Sequence, residues 1–423
     1  MTTFTQESIA ALRREIHSKP EPGWAEFVSS ARAIEKLESL GFTVKCGREV
    51  INPDFIRGAN RRQIEEGLAF AKSQGVKEEI LERLDGVTGV VGLLETGRPG
   101  PVMAIRFELD CVPVTETSNP DHLPNREGFA SCRPGYMHAC GHDGHQAVGL
   151  TLAQWFAEHK DELCGTLKLL FQPAEEGVRG ARPMAESGIV DDVDFLYCGH
   201  LGCDIPGGTV VTAPEKFLCT TKLDYRFRGT PSHAGMQPEV GRNALMAAAG
   251  AAMSLMALPR HGEGMTRVNV GYLRAGEGRN VIASTAEMQV EVRGETGEIN
   301  QYMYDSAVAI IEGCAHAQGC EYHIEKMGEA VDLTNDDELV DVLREAAGAV
   351  EGINVREDAM NFGGSEDATI IARRVQAHGG KAAFFVLGAD RPSGHHTAKF
   401  DIDENAVKQG LNVWANAVER ILG

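Results

Sequence analysis

The chain has 423 residues and a formal net charge of −20, from 41 basic and 61 acidic side chains. This acidic excess argues against nucleic acid or an anionic membrane surface as a partner, and no apolar stretch approaches the roughly 20 residues needed to span a bilayer. The length predicts two domains. The ten cysteines follow no regular spacing, so we expect reduced thiols in a cytoplasmic protein.

The first half of the chain alternates predicted helices and strands. Residues 1–45 read as two helices around a break at Pro20 and Pro22, without the apolar run of a signal peptide. The charged segment 52–85 is helix-forming, and apolar strands follow at 101–110, GTLKLLFQ and VDFLYCGHLG, with the helix HQAVGLTLAQWFAEHK among them. This alternation predicts an α/β fold with a mainly parallel sheet, whose functional residues lie at the carboxyl ends of the strands.

The pattern changes near residue 215. Over 215–330 the predicted order is strand–helix–strand–strand–helix–strand, which indicates an α+β (ferredoxin-like) domain with one antiparallel sheet. After 331 the α/β pattern resumes, with AAFFVLG as a buried strand. We therefore expect a discontinuous catalytic, metal-binding domain of residues 1–214 and 331–423, and an inserted lid and dimerisation domain at 215–330.

A dense cluster of ligand-type side chains occupies residues 137–145, MHACGHDGH. Its three histidines could line one face of a helix, but Gly141 and Gly144 disfavour a helix by up to about 1 kcal/mol each. Cys140 and His142 are two residues apart, so both can point at one site from an extended or turning backbone. Thiolate and imidazole together suit zinc and other borderline divalent metals, and the cluster predicts a metal site.

A second cluster, FQPAEEG, follows an apolar strand and contains Glu175 and Glu176. Two adjacent carboxylates are usually a solvated turn. Beside a Cys-x-His motif, however, one can bind a metal while the other deprotonates a water. His200 ends the next strand, and His395 and His396 follow AAFFVLG. A single histidine at a strand end is more often structural, but three such positions indicate a shared site.

With HACGHDGH and FQPAEEG, the chain resembles the M20 family of metallopeptidases and amidohydrolases, in the branch that contains hippurate and auxin-conjugate hydrolases. The similarity extends through TRVNVG, GRNV, GSEDAT and GHH and covers nearly the whole length. The resemblance implies a metal-dependent enzyme that hydrolyses linear amides. It also implies two divalent metal ions, with Mn²⁺ expected first and Zn²⁺ second.

Carried over position by position, the resemblance gives a metal-ligand set of Cys140, His142, Glu176, His200 and His396. It makes Glu175 the general base, which takes a proton from the attacking water and returns it to the leaving amine. Asp110 orients a ligand without touching the metal. His395 is not included among the metal ligands, because in an extended backbone its side chain would point away from that of His396.

By the same resemblance, the inserted domain supplies three further residues. His233 matches a histidine that reaches the partner subunit's active site and polarises the scissile carbonyl, although from the sequence alone it is more simply a turn histidine. Asn280 and Arg293 match positions that bind the substrate's carbonyl and carboxylate, and the planar fork of Arg suits a carboxylate. The arrangement implies a homodimer through the lid domains, and the resemblance adds a homologous B-type chain as a further partner.

Glu108 departs from the family pattern. The corresponding strand usually ends in Asp-x-Asp, whereas this one ends in Glu108-Leu109-Asp110. The sequence leaves open whether the longer Glu108 is structural or alters metal preference.

The expected substrate is a small N-acylated amino acid. The match along the whole chain, including the insert at 52–85, favours p-aminobenzoyl-glutamate, cleaved to p-aminobenzoate and glutamate. The alternatives are an amidohydrolase for another substrate (hippurate, N-acetyl or aminoacylase type), a non-catalytic partner subunit, and a redox or zinc sensor that uses Cys140. The intact set of ligand-type residues weakens the non-catalytic alternative.

Overall fold

The computed structural model describes residues 6–356, 358 and 360–423. The chain divides into two compact units, each with its own hydrophobic core. The first unit comprises the residues up to Glu215 together with Leu333–Phe362 and Asp367–Gly423. The second comprises Lys216–Asp332 and Gly363–Glu366. No helix in the described part of the chain has the length and apolar character that crossing a membrane requires.

The strands, in chain order, are β1 (Thr43–Cys46), β2 (Val90–Glu95), β3 (Val102–Glu108), β4 (Thr166–Gln172), β5 (Phe195–Leu201), β6 (Thr209–Val211), β7 (Pro214–Glu215), β8 (Cys219–Arg228), β9 (Thr266–Ala275), β10 (Thr285–Gly294), β11 (Glu321–Ala330), β12 (Asn354–Arg356), β13 (Met360–Asn361) and β14 (Lys381–Leu387). The α-helices are α1 (Gln6–His17), α2 (Phe27–Ser39), α3 (Arg61–Ser73), α4 (Glu78–Leu84), α5 (Leu123–Glu127), α6 (His142–His159), α7 (Ala181–Ala185), α8 (Ala244–Met256), α9 (Gly297–Ala317), α10 (Asp337–Gly348), α11 (Ala368–Ala377) and α12 (Glu404–Leu422).

The first unit is built on an eight-stranded sheet in the order β1-β2-β4-β3-β5-β14-β6-β12. Its centre, β4-β3-β5-β14, is parallel, whereas β1, β2 and β6 join by antiparallel pairing. The predicted mainly parallel α/β fold is therefore confirmed. Because the four central strands run in the same direction, their carboxyl ends meet along one edge, where ligands bind in such sheets.

Helix α6 begins at His142 and includes the second half of the histidine cluster, so the prediction that glycine keeps this segment out of a helix was wrong. Gly141 has a φ of 98°, which turns the chain immediately before the helix. A Cβ at Gly144 would lie 2.8 Å from Ile402 Cδ1, and one at Gly149 would lie 2.7 Å from the Phe107 ring. The glycines permit close packing of α6 on its neighbours, and this packing outweighs their low helix propensity.

The second unit has a four-stranded antiparallel sheet in the order β11-β8-β10-β9, with α8 and α9 packed on it. This is the predicted antiparallel sheet with two helices. Helix α8 starts after Asn243, whose side chain accepts the backbone N–H of Met246. Its buried face is mostly alanine, and these small side chains allow close contact with Leu223, Tyr225 and Val290 of the sheet.

Candidate active site

Polar residues from several segments meet at the carboxyl edge of the parallel strands. Asp110 follows β3, the Glu175–Glu176 pair follows β4, and His200 lies near the end of β5. Cys140 and His142 stand at the start of α6, and His396 lies in the segment after β14. Residues far apart in the sequence are therefore adjacent in space.

The His142 ring is held by one nitrogen and leaves the other available. Its Nδ1 lies 2.9 Å from the backbone oxygen of Asp110, while its Nε2 is buried, without a hydrogen-bond partner among the described residues, and 3.8 Å from Glu175 Oε2. Burial alone lowers the pKa of His142, but the Asp110 carboxylate, whose Oδ1 lies 3.4 Å from Nδ1, and the nearby Cys140 raise it well above its usual value. The same electronegative surroundings favour a bound cation.

The ligand-type residues form several overlapping groups. Within each group, all donor atoms lie within 4.8 Å of one another. Three of the groups are Cys140–His142–His200, Cys140–Glu176–His396 and His142–Glu175–Glu176. Cys140 Sγ is 3.5 Å from His200 Nε2, and His396 Nε2 is 3.2 Å from Glu176 Oε1. The structure thus brings together all the predicted metal ligands, and the mixed thiol, imidazole and carboxylate donors fit a divalent transition metal.

Asp110 links the histidine to the acidic turn. One carboxylate oxygen accepts the backbone N–H of Glu175 at 3.2 Å, and the other accepts that of Glu176 at 2.9 Å. Through its backbone oxygen the same residue also holds the His142 ring. Asp110 therefore contacts two candidate ligand segments, the His142 ring and the turn with Glu175 and Glu176.

Glu108 lies next to this site and forms a further group of ligand-type atoms with His142 and His145. It is fully buried, pairs with Arg106, and its Oε2 accepts His145 Nδ1 at 2.6 Å. His145 Nε2 in turn accepts the backbone N–H of Leu201 at 3.0 Å. Burial alone raises the pKa of Glu108, but Arg106 and His145 lower it well below its usual range. Because both ring nitrogens of His145 are engaged, neither has a lone pair free for a metal.

His395 does not turn away from the site as the sequence suggested. His396 has a φ of 59°, so the backbone is not extended here. The His395 ring lies 5.5 Å from the His200 ring, centroid to centroid, and its Nε2 accepts the backbone N–H of Cys203 at 3.1 Å. Burial and Arg391 lower the pKa of His395 to about 3. A neutral His395 therefore packs against a candidate ligand.

The residues expected from the inserted domain fall at two separate places in the second unit. His233 and Asn280 are adjacent: His233 bridges to Val281, and the N–H of Ala234 donates to the Asn280 backbone oxygen at 3.0 Å. Both lie in the solvent-accessible part of this unit. Arg293 lies far along β10 and pairs with Glu291, with Nε 3.0 Å from Oε2. Each strand residue advances the chain by about 3.4 Å, so Arg293 lies about 27 Å from the other end of β10, the end that is next to Asn280.

Comparison with known proteins identifies the family of the chain. The profile of peptidase family M20/M25/M40 matches residues 104–420. The chain is 50% identical over 410 residues to a protein of Haemophilus influenzae, a homolog of the A-type subunit of p-aminobenzoyl-glutamate hydrolase, covering 97% of each chain. It is 44% identical over 398 residues to an indole-3-acetyl-aspartic acid hydrolase from Enterobacter agglomerans, covering 93% of this chain and 91% of that one.

A crystal structure of an aminobenzoyl-glutamate utilization protein from Klebsiella pneumoniae superposes with a TM-score of 0.83 at 36% identity, covering 98% of this chain and 95% of that one. The chain therefore belongs to the M20 peptidase family, as the motifs predicted. Within this family it is an amidohydrolase, with candidate metal-binding groups where the parallel strands end.

Proposed function

We propose that the chain hydrolyses the amide bond between an aromatic acyl group and an acidic amino acid, with p-aminobenzoyl-glutamate as the first substrate. The observation that carries this proposal is the group of metal-type donors beside Glu175, in a chain that is 50% identical to a homolog of the A-type p-aminobenzoyl-glutamate hydrolase chain. The indole-3-acetyl-aspartic acid hydrolase, at 44% identity, has a substrate of the same chemical class.

We assign two divalent metal ions to this site, Mn²⁺ first and Zn²⁺ as the alternative. The residues that would hold them are Cys140, His142, Glu176, His200 and His396. The buried Nε2 of His142, which has no hydrogen-bond partner in the described part of the chain, supports the assignment, since buried polar atoms normally have a partner. Bound there, a divalent metal lowers the pKa of a water so that it can act as nucleophile near neutral pH.

Glu175 is the proposed general base. Its carboxylate lies within the same donor group as His142 and Glu176, and its backbone N–H is fixed by Asp110. It accepts the proton of the attacking water and delivers it to the leaving nitrogen of the amide. Asp110 acts as a positioning residue, because it sets both His142 and the turn that carries Glu175.

The proposed assembly is a dimer through the second unit. Arg293 and the His233–Asn280 pair lie at opposite ends of the four-stranded sheet, so one copy cannot place both on a small substrate. A second copy of the chain supplies the other end, with a homologous B-type chain as the alternative. Helix α8 supports this assembly, because Met246 and Met253 are 50% and 77% exposed and edge strand β9 exposes Tyr272 and Leu273. The ten free thiols support a cytoplasmic location.

The test uses the whole chain loaded with Mn²⁺ and follows p-aminobenzoate release from p-aminobenzoyl-glutamate. We expect turnover, and we expect Glu175→Ala to lower kcat by about 10²–10⁴-fold while the bound metal is kept. Glu127→Ala, at an exposed carboxylate, is the matched control and keeps full activity.

Indole-3-acetyl-aspartate, hippurate and N-acetyl-glutamate serve as comparison substrates. If the chain prefers one of these comparison substrates, the substrate assignment changes but the proposed mechanism stands. If none of the four is cleaved, even after a homologous B-type chain is added, the proposed function is wrong.

A further inference from the structure

Buried carboxylates hold the backbone of the acidic turn along its length. The N–H groups of residues 174, 175, 176, 180 and 181 all donate to carboxylate oxygens. Asp110 accepts two of them, and Asp367 accepts those of Gly180 and Ala181 at 3.1 and 3.0 Å. The remaining one, at Ala174, donates to Glu26 Oε1 at 2.7 Å.

Glu26 is fully buried between the turn and the segment before β2. Its second oxygen, Oε2, accepts the hydroxyl of Thr88 at 2.6 Å. Both oxygens of the carboxyl group are therefore held by hydrogen bonds, and one of them accepts the N–H of Ala174, the residue before Glu175.

The backbone at this point needs such an anchor. Ala174 has a φ of 51° and Val178 a φ of 58°, both in the left-handed region, which costs a non-glycine residue on the order of 1 kcal/mol or more. A turn with two such residues keeps its shape only when its surroundings over-determine it. Without Glu26, relaxation at Ala174 would rotate the next peptide and move Glu175 relative to His142.

We propose that Glu26 is a positioning residue for the active site, which fixes the Ala174 peptide and thereby the placement of Glu175 and Glu176; the proposal rests on the function assigned to that site. The role rests on the acceptor oxygen Oε1, which receives the Ala174 N–H at 2.7 Å. Burial and Asp110 raise the pKa of Glu26 to about 8, although the hydrogen bonds from Thr88 and Ala174 lower it.

The variants follow from this geometry. Glu26→Ala removes the acceptor, whereas Glu26→Gln keeps an acceptor for Ala174 and offers an amide to Thr88. Thr88→Val removes only the group that fixes the second oxygen. The matched control is Glu21→Ala, because Glu21 is also fully buried and also accepts a hydrogen bond at each carboxylate oxygen, here from the backbone N–H groups of Val28 and Ser29 at 2.8 Å in helix α2.

The measurements are kcat and KM on the substrate turned over, Mn²⁺ affinity by titration calorimetry on the metal-free chain, and the midpoint of thermal unfolding. We expect Glu26→Ala to lower both kcat and Mn²⁺ affinity by about 10-fold or more, with KM nearly unchanged. Glu26→Gln keeps both values close to the wild type, and Thr88→Val gives a smaller loss. Glu21→Ala lowers only the unfolding midpoint.

Calorimetry of Mn²⁺ binding tests the positioning role of Glu26 independently of the proposed enzymatic activity. If the wild type cleaves no substrate, weaker Mn²⁺ binding in Glu26→Ala than in Glu21→Ala still supports the positioning role. If Glu26→Ala does not fold, Thr88→Val and Glu26→Gln decide by the same readouts. A Glu26→Ala chain that matches Glu21→Ala in metal affinity and kcat, or a Thr88→Val chain that shows no loss, would overturn it.

Discussion

Asp143, the residue after His142, is the centre of a buried charge cluster. Its Oδ2 accepts Arg13 Nε at 2.7 Å and His17 Nδ1 at 2.8 Å. All three side chains are fully buried. Removing one partner of such a pair leaves an uncompensated charge and typically costs about 3–5 kcal/mol. Helix α1 is therefore fixed electrostatically to the first turn of α6, next to a candidate metal ligand.

The His17 member of this cluster makes stability depend on pH. Burial alone lowers the pKa of His17, but hydrogen bonds to Asp143 and Glu116 outweigh this effect and raise the pKa to about 9. A raised pKa gives extra stability that is complete below the unfolded pKa of about 6.5 and is lost as the pH rises through 9.

We expect the wild type to lose up to about 3 kcal/mol more than His17→Gln between pH 6 and pH 9.5, since a pKa difference of one between the folded and unfolded states is worth about 1.4 kcal/mol. Urea unfolding of both chains in a metal-chelating buffer, at several pH values, measures the difference. A gap between the two chains that stays constant over this range would contradict the prediction.

The sequence left open whether Glu108 is structural or alters metal preference, and the contacts of Glu108 give a prediction on this question. Because this side chain reaches both Arg106 and His145, a shorter Asp should keep only one of the two bonds. We expect Glu108→Asp to lower the free energy of unfolding by about 1–3 kcal/mol, the cost of a buried polar group left unpaired. Competition between Mn²⁺ and Zn²⁺ should give the same preference as in the wild type. An altered preference would mean that Glu108 tunes the metal site directly.

Sequence predicts the ligand-type residues better than the residues that hold them in place. Cys140 and His142 stand out as a Cys-x-His motif in a dense cluster of ligand-type residues, and Glu176 as part of an acidic pair directly after an apolar strand. Glu26 and Asp367 carry no such signal, since each acts on a turn that is more than a hundred residues away in the chain. Their roles depend on long-range hydrogen bonds, which the sequence pattern does not encode.

At the scale of elements, two helical glycines differ in what surrounds them. A Cβ at Gly67 of α3 would lie 2.8 Å from the Cβ of Ala25, whereas a Cβ at Gly313 of α9 would have no neighbouring atom within 4 Å. We expect Gly313→Ala to stabilise the fold by up to about 1 kcal/mol through helix propensity. Gly67→Ala should destabilise it by about 1–3 kcal/mol, because the added methyl group overpacks this contact. Guanidinium unfolding followed by circular dichroism compares the two, and equal gains would contradict the expectation.

The long strands of both sheets were predicted from apolar runs and alternation, and so were several helices before residue 331. Helices α10, α11 and α12 were not predicted, although α12 has 19 residues. In contrast, β6, β7, β12 and β13 have only two or three residues each and exist through pairing: β12 pairs with β6, and β13 with β7. The start of α6 was also missed, because close packing at Gly144 decides it rather than local propensity.

At the scale of the whole molecule, the second unit has two ends with different residues. His233 and Asn280 lie beside one end of β10, and Arg293 lies near the other. In a two-fold symmetric dimer, every contact that one chain makes to its partner is made in return. A site that draws on both ends is then complete only when each copy contributes one of them.

This assembly predicts that two inactive chains restore activity when mixed. Glu175→Ala lacks the base but keeps His233, and His233→Ala lacks that histidine but keeps Glu175. If His233 acts in the partner's site, a mixed two-fold dimer contains one complete site. After unfolding and refolding the chains together in equal amounts, we expect about a quarter of wild-type activity, because half of the dimers are mixed and each has one working site of two. Adding Met253→Glu to both chains should abolish the restored activity by placing a charge on the exposed face of α8. If His233 acted within its own chain, each mixed dimer would carry two incomplete sites, and mixing would restore nothing.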